Sequence, residues 1–413
     1  TLDDDYNVPD YRQDIVKVIK ERGELRFDEV KAMEGAAWIK GSLLFKVLYR
    51  SDKQEGKISC LRGEIPFQER LNMDGLSEYD AVHATGDMED LTIGVINSRK
   101  LNVRAVIVLT ASSEKEVDEE LTCELSDGSS YEQNIVEKEA LKLLVVRRDI
   151  CRQKSEAVLP SSKPNIREIL WQSMQLRNVE SRLVEGNIRL SGEILVSILY
   201  NDEEEGEHLS WYETTVPLDA QAECGVMEDD CIWQVQMVPL TMELEVKPDY
   251  DGEERILVME LALDTHIRIW KEEKIRLLTD LYSLQIEVKP VFRECPLERL
   301  LVKNAAKCRM TEQMELKEDK EKVLQICSCE GKVLLERQEI KPDGVLAEGT
   351  VEVNILYITP DDHMPVGAVQ EIYPFSQLVE IPEMSAQAKV ELDASLEQLS
   401  AVMLRSEEHT TEL

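Results

Sequence analysis

Several things are scarce in this chain of 413 residues, and each scarcity closes a class of explanation. No run of 18 apolar residues occurs, so no segment reads as a transmembrane helix. Aromatic residues make up 5%, which argues against an aromatic-lined platform for sugars or nucleic acids. Basic residues are outnumbered, 48 Lys and Arg against 83 Asp and Glu, leaving a formal charge of −35. A field of that sign repels phosphate backbones and anionic lipid surfaces, so nucleic acid is not expected as a partner, and a protein with basic patches is. HExxH, GxSxG, the Walker glycine loop and GxGxxG are all missing. The five histidines, His83, His208, His266, His363 and His409, are scattered. With 83 acids, two neighbouring carboxylates carry little information. No enzyme is expected, and no residue is assigned a catalytic, cofactor-binding or metal-binding role.

What is present is a frame repeated three times. A glycine is followed eight residues later by a tyrosine and, seventeen after that, by a proline: Gly41, Tyr49 and Pro66; Gly192, Tyr200 and Pro217; Gly349, Tyr357 and Pro374. The tyrosines are 151 and 157 residues apart, the size of a small domain rather than of a solenoid repeat. Apolar residues recur sixteen places before each glycine (Leu25, Leu176, Val333) and twenty-three before it (Val18, Ile169, Ile326). Pro9-Asp10-Tyr11-Arg12 resembles Pro164-Asn165-Ile166-Arg167, each reading as the start of a short helix with proline in its first turn. In the third copy EDKEKVLQI takes that place.

Within the frame, alternate positions are apolar: Leu43, Phe45, Val47 and Tyr49; Ile194, Val196, Ile198 and Tyr200; Val351, Val353, Ile355 and Tyr357. Period two is the mark of a half-buried strand, because successive side chains point to opposite faces. The intervening positions include Ser42, Lys46, Glu193, Ser197, Glu352 and Asn354. Further strands are expected at Val103–Leu109, Ile256–Leu263 and Leu284–Val288. The fold class is mainly β: three tandem sandwich-like modules of about 150 residues, each with a short helix. The expected boundaries are 1–149, 150–303 and 304–404. The repeated tyrosines are placed at the rim of the core with the hydroxyl toward solvent, and the prolines at a strand edge.

Both ends read as clipped. Thr1-Leu2 looks like the tail of a strand whose counterpart, KSEAVL before Pro160, is longer, and the acidic start has no signal-peptide character. Arg405–Leu413, RSEEHTTEL, closely resembles the translation of a sequencing-library adapter and is set aside as non-native. The third copy then stops about 30 residues after its proline, leaving it incomplete.

The nine cysteines (Cys60, Cys123, Cys151, Cys224, Cys231, Cys295, Cys308, Cys327, Cys329) do not recur at equivalent positions; Cys60 aligns with Trp211 and Ala368. A disulfide framework would recur with the module, so free thiols, mostly buried, in a reducing compartment are expected. Cys327-Ser328-Cys329 lacks the second pair a zinc site needs, and strand alternation puts both thiols on one face as small apolar residues. The loop Asn201–Glu207 has a glycine at its sixth place but lacks the ligand spacing of a calcium loop, and reads as a hairpin end. Tyr250-Asp251-Gly252-Glu253 reads as a turn.

The strand-and-hairpin sets GSLLFKVLY with GEIPF, GEILVSILY with TTVPL, and GTVEVNILY with EIYPF resemble the SPOCS domain. That domain occurs in tandem in SipL-like coat morphogenetic proteins of spore-forming anaerobes. The resemblance implies a non-enzymatic scaffold in the mother-cell cytoplasm that gathers at the forespore surface. It also implies a protein partner, SpoIVA, the ATPase of the coat's basement layer, contacted through a carboxyl-terminal LysM domain. This sequence has no LysM stretch, so its own partner surface is not identified. The other reading is an exported β-module adhesin or carbohydrate-binding protein.

Overall fold

The structure, a computed structural model, describes residues 1–52, 57–126, 131–203, 208–226, 230–314, 316, 323–382 and 384–403. Its regular elements are all strands. In chain order they are β1 (Leu2–Asn7), β2 (Ile15–Met33), β3 (Ala36–Ser51), β4 (Ile58–Asn72), β5 (His83–Asn97), β6 (Lys100–Ser112), β7 (Glu132–Val158) and β8 (Ile166–Val184). They continue as β9 (Asn187–Asp202), β10 (Leu209–Glu223), β11 (Cys231–Pro248), β12 (Glu254–Tyr282), β13 (Gln325–Lys341), β14 (Gly344–Ile358) and β15 (Val366–Glu380). They form five three-stranded antiparallel sheets: β2-β3-β4, β8-β9-β10, β13-β14-β15, β1-β6-β5 and β11-β12-β7.

The first three, the repeat sheets, share one register. Each tyrosine lies opposite the apolar residue that precedes its glycine by twenty-three places: Tyr49 opposite Val18, Tyr200 opposite Ile169, Tyr357 opposite Ile326. Leu25, Leu176 and Val333 lie opposite Leu43, Ile194 and Val351. Each proline stands on an outer strand, opposite the residue after the glycine: Pro66 with Ser42, Pro217 with Glu193, Pro374 with Thr350. A bulge recurs just after the twenty-three-back residue, at Val18/Lys20, Ile169/Trp171 and Ile326/Ser328. Bulges re-aim side chains, and here the same offset is re-aimed three times.

The glycine has a steric cause. A Cβ at Gly192 would sit 2.9 Å from the Arg177 carbonyl oxygen, and at Gly41 and Gly349 it would overlap the Arg26 and Leu334 carbonyls. The residue after each proline lies directly across: Phe67 over Gly41, Leu218 over Gly192, Phe375 over Gly349. In the first and third copies the phenylalanine ring covers the ground the glycine leaves bare, a coupled cross-strand pair, while at Gly192 the backbone of Arg177 to Val179 lies closest.

One face of the first repeat sheet is closed by β1-β6-β5. Leu43, Phe45, Val47 and Tyr49 share a core with Leu101, Val103 and Ala105. The second is closed by β11-β12-β7, where Ile194, Val196, Ile198 and Tyr200 meet Leu257, Leu261, Leu263 and Ile267. Beyond that core β7 and β12 run on as a two-stranded ribbon, Glu132 to Leu143 against Trp270 to Tyr282. Among the described residues no second sheet lies on β13-β14-β15.

Four local expectations need correction. No helix occurs among the described residues. The proline expected to open one instead opens a tight turn, in which Arg12 N–H donates to the Pro9 carbonyl. The matching turn in the second copy runs from Pro160, with Lys163 N–H donating to the Pro160 carbonyl, so Pro9 corresponds to Pro160 and not to Pro164. Residues 284–286 form bends and 287–288 have no regular structure, with Leu284 exposed, because no neighbouring strand among the described residues offers them a ladder. The central strands β3 and β9 are covered on both faces rather than one, for a reason that lies in how the repeat sheets meet.

Candidate functional site at the junction of the repeat sheets

The faces of the repeat sheets turned away from these cores converge on one another. The last strand of each sheet touches the first strand of the next: β4 meets β8, β10 meets β13, and β15 returns to β2. The three sheets close a ring. Its centre is an apolar cluster built from equivalent positions: Leu48, Leu199 and Leu356; Ile19, Leu170 and Cys327; Ile58, Leu209 and Val366. These are the leucine before each tyrosine, the bulged residue after Val18, Ile169 or Ile326, and the start of each hairpin's return strand. The centre is therefore pseudo-threefold.

The side chains next to that centre break the symmetry. At one offset stand Lys20, Trp171 and Ser328; two residues on stand Arg22, Ser173 and Glu330. Lys20 Nζ lies 2.9 Å from Glu330 Oε1, with the two side chains 6% and 11% exposed. Arg22 Nη1 lies 3.3 Å from Glu330 Oε2. Trp171 Nε1–H donates to Glu330 Oε1 at 3.4 Å, and the ammonium groups of Lys20 and Lys46 stand 5.2 and 5.0 Å from its ring centroid. A carboxylate from the third copy is thus enclosed by two cations of the first and an indole of the second.

Burial by itself pushes the Glu330 carboxyl up, but Lys20 and Arg22 beside it outweigh that and hold it below the usual range. Lys46 has the opposite fate: burial drives it down to about 8, and its Nζ has no hydrogen-bond partner among the described residues. The cluster brings Lys20 and Arg22 to one carboxylate, and Lys20 and Lys46 to one indole, an arrangement that specifies position more than it stabilises. Its ion pairs and indole hydrogen bond link residues of all three copies.

Sequence reading placed Lys46 among the residues that alternate with the core and did not single out Lys20, Arg22, Trp171 or Glu330. The signal that could have found them is their common offset behind the three glycines, where apolar residues give way to unlike polar ones.

Tyr49, Tyr200 and Tyr357 are fully buried, not at a solvent rim. Tyr49 Oη–H donates to the Gln13 carbonyl at 3.2 Å, and Tyr200 Oη–H to the Pro164 carbonyl at 3.1 Å, tying the central strand to the chain that enters the sheet. Burial raises the phenols, Tyr200 to about 12. The turns ahead of them are held by arginines that the sequence did not mark. Arg99 donates to the carbonyls of Val8, Pro9 and Arg12, and Arg255 to those of Leu159, Pro160 and Lys163.

Cys60, Cys151, Cys224, Cys231 and Cys327 are buried free thiols, Cys295 and Cys329 are partly exposed, and Cys123 and Cys308 are exposed. Cys327 and Cys329 do not share a face. The bulge at Ile326/Ser328 turns Cys327 into the ring centre, while Cys329 lies opposite Ile355 on the other side. Burial pushes them up to about 12 and about 11, so neither is a ready thiolate. His83 and His266 share surroundings with Arg148 and Asp264, and burial first, then the arginines, holds both below the ordinary range. Among the described residues no group of His, Cys, Asp or Glu could hold a metal ion. Most of the acidic loop after Tyr200, and His409 with the carboxyl-terminal tail, lie outside the described residues. Asp249 to Glu253 forms a turn capped by the Asp249 carboxylate.

Among the described residues no helix is long and apolar enough to cross a membrane. No curated protein and no solved structure matches the chain. The family model described as SipL, SPOCS domain matches residues 14–96 and 322–404. The matched segments start at the first strand of the first and third repeat sheets, and the first ends within β5. Those two segments are similar to the SipL SPOCS domain, which is consistent with a SPOCS-domain, SipL-like protein and with a sporulation-related role.

Proposed function

We propose that this protein is a non-enzymatic scaffold of the spore coat, built of three tandem sandwich-like modules with boundaries near residues 149, 303 and 404. The observation that carries the reading is the ring. A buried ionic key unites three copies of one sheet, which supports a role in ordering polypeptide. Closing the copies on one another leaves their outer faces displayed at fixed angles, as a scaffold requires. The net charge of −35 suits partners with basic surfaces.

The protein works in the mother-cell cytoplasm at the forespore surface, with the basement-layer ATPase SpoIVA as its partner. The test is fluorescent tagging of the full-length protein during sporulation in cells with and without that ATPase. A forespore ring that disperses when the ATPase is absent supports the role. Uniform fluorescence, or signal on the vegetative envelope as an exported adhesin would give, overturns it.

A further inference from the structure

Two residues along from Leu48, on the ring face of the first repeat sheet, three cations stand side by side. Arg22 on β2 lies directly opposite Lys46 on β3, and Lys46 lies directly opposite Arg62 on β4. Residues opposite one another in a ladder share a face, and like charges there repel. The equivalent rows are Ser173, Ser197 and Glu213 in the second copy and Glu330, Asn354 and Gln370 in the third. Neither of those rows holds a cation. Glu330 answers part of the charge, but it is engaged by Lys20 and Arg22, and Arg22 also meets Glu24 at 3.2 Å. Lys46 stands apart from these pairs. Its Nζ is buried, has no hydrogen-bond partner among the described residues, and lies 5.0 Å from the Trp171 ring centroid. A buried ammonium whose donors find no acceptor opposes folding, the more so between two guanidinium groups. In a chain of net charge −35, positive charge has been gathered at this one place without being neutralised.

We propose that this row binds a small monovalent inorganic anion of the chloride class, seated at Lys46 Nζ between Arg22 and Arg62. Such an anion supplies the acceptor that Lys46 lacks and offsets the repulsion along the row. The surroundings limit its charge and size. The Trp171 indole and the apolar cluster of Leu48, Leu199 and Leu356 cannot replace the large hydration shell of a divalent oxyanion. Arg62 is exposed, so the row reaches solvent at its β4 end, and Ser173 adds a hydroxyl 3.5 Å from Arg22 Nη1. The groups facing Lys46 are Arg22 and Glu24 from β2, Cys60 and Arg62 from β4, and Trp171 from β8, whose indole Lys20 shares. Burial first, with Arg62 and Arg22 adding to it, holds Lys46 down to about 8, and an anion at Nζ would shift it upward. Because Trp171 belongs to the second copy, the anion is a ligand of the closed ring and not of the unfolded chain. The inference is independent of where the protein acts in the cell.

The experiment is urea unfolding of the whole chain at neutral pH, in sodium chloride and in sodium gluconate of the same ionic strength, gluconate being too large for the site. Chloride should raise the folded-to-unfolded ratio saturably, by about tenfold once its concentration is about ten times its dissociation constant. Lys46→Met should abolish the difference between the two salts, and Arg62→Gln should weaken chloride binding about threefold. The anion binds the charged amine alone, so in the unaltered chain the difference should fade as pH rises above the folded value of Lys46 and be gone by about pH 10. Three results would overturn the proposal. Equal stability in the two salts would mean that water alone serves Lys46. A chloride effect that persists in Lys46→Met would be a general salt effect. An effect undiminished by alkali would place the anion on other cations.

Discussion

The second and third repeat sheets are built to the same register, with the same glycine, the same bulge and the same proline edge, yet among the described residues only the second has a covering sheet. In the second copy Val196 and Ile198 sit in a core of two sheets. In the third, Val353 keeps burial, while Val351 and Ile355 are only half covered. Toward the ring the two sheets are equals: Leu199 and Leu356 are each 1% exposed. The difference separates two roles that one strand plays at once. Its tyrosine-side face packs into the core, and its leucine-side face joins the repeat sheets. The second role survives where the first is incomplete.

The largest effect should come from the joining face. Trp171→Ala removes an indole that touches both neighbouring copies, and is expected to cost about 3–5 kcal/mol by urea unfolding. A loss confined to the second module, with no change in exchange near Glu330, would break the idea of a shared centre. Next, equivalent truncations on the module face should differ. Ile198→Ala is expected to cost about 3 kcal/mol and its equivalent Ile355→Ala about half that, since Ile355 is only half covered. Equal losses would mean that the third sheet is covered as fully as the second.

The pH dependence follows from Lys46. Its folded value of about 8 lies below its ordinary 10.5, so below pH 8 it is protonated in both states and burial of the cation opposes folding in full. Between pH 8 and 10.5 the unfolded chain holds more protons, and stability rises by up to about 1.4 kcal/mol per pH unit. Lys46→Met should remove that slope and raise stability at pH 7. Glu330 gives a slope of the same sign in acid: its depressed carboxyl supports the fold at neutral pH and loses that support as falling pH protonates it. The smallest effect is that of Tyr200→Phe, which deletes the hydroxyl bond to Pro164 and should cost about 1 kcal/mol. Tyr49→Phe should match it if the two copies are equivalent.

The module face was legible in the sequence because period-two alternation reports burial on one side of a strand directly. The frame also held the register: residues marked only by spacing, such as Val18 and Ile169, turned out to face the tyrosines across the ladder. What escaped was everything that depends on the copies meeting. Lys46 and Ser197 looked like solvent-facing residues because a single copy cannot show that another copy covers them. Lys20 and Glu330 stand 310 residues apart and look ordinary alone. The bulge also defeated the alternation argument for Cys327 and Cys329, since one extra residue sends them to opposite faces. The arginine clamps at Arg99 and Arg255 were hidden for the same reason: their partners are backbone carbonyls, which leave no mark in the sequence.

The central claim is that the three sheets close a ring around a shared ionic key. A double-mutant cycle on Lys20→Met and Glu330→Leu, read by urea unfolding of the whole chain, tests it most directly. A closed ring predicts that each single change strands a buried charge and costs about 3–5 kcal/mol, while the double change recovers most of it, a coupling of about 2 kcal/mol or more. Modules strung as independent beads would give changes that add to within about 0.5 kcal/mol, and that result would contradict the ring.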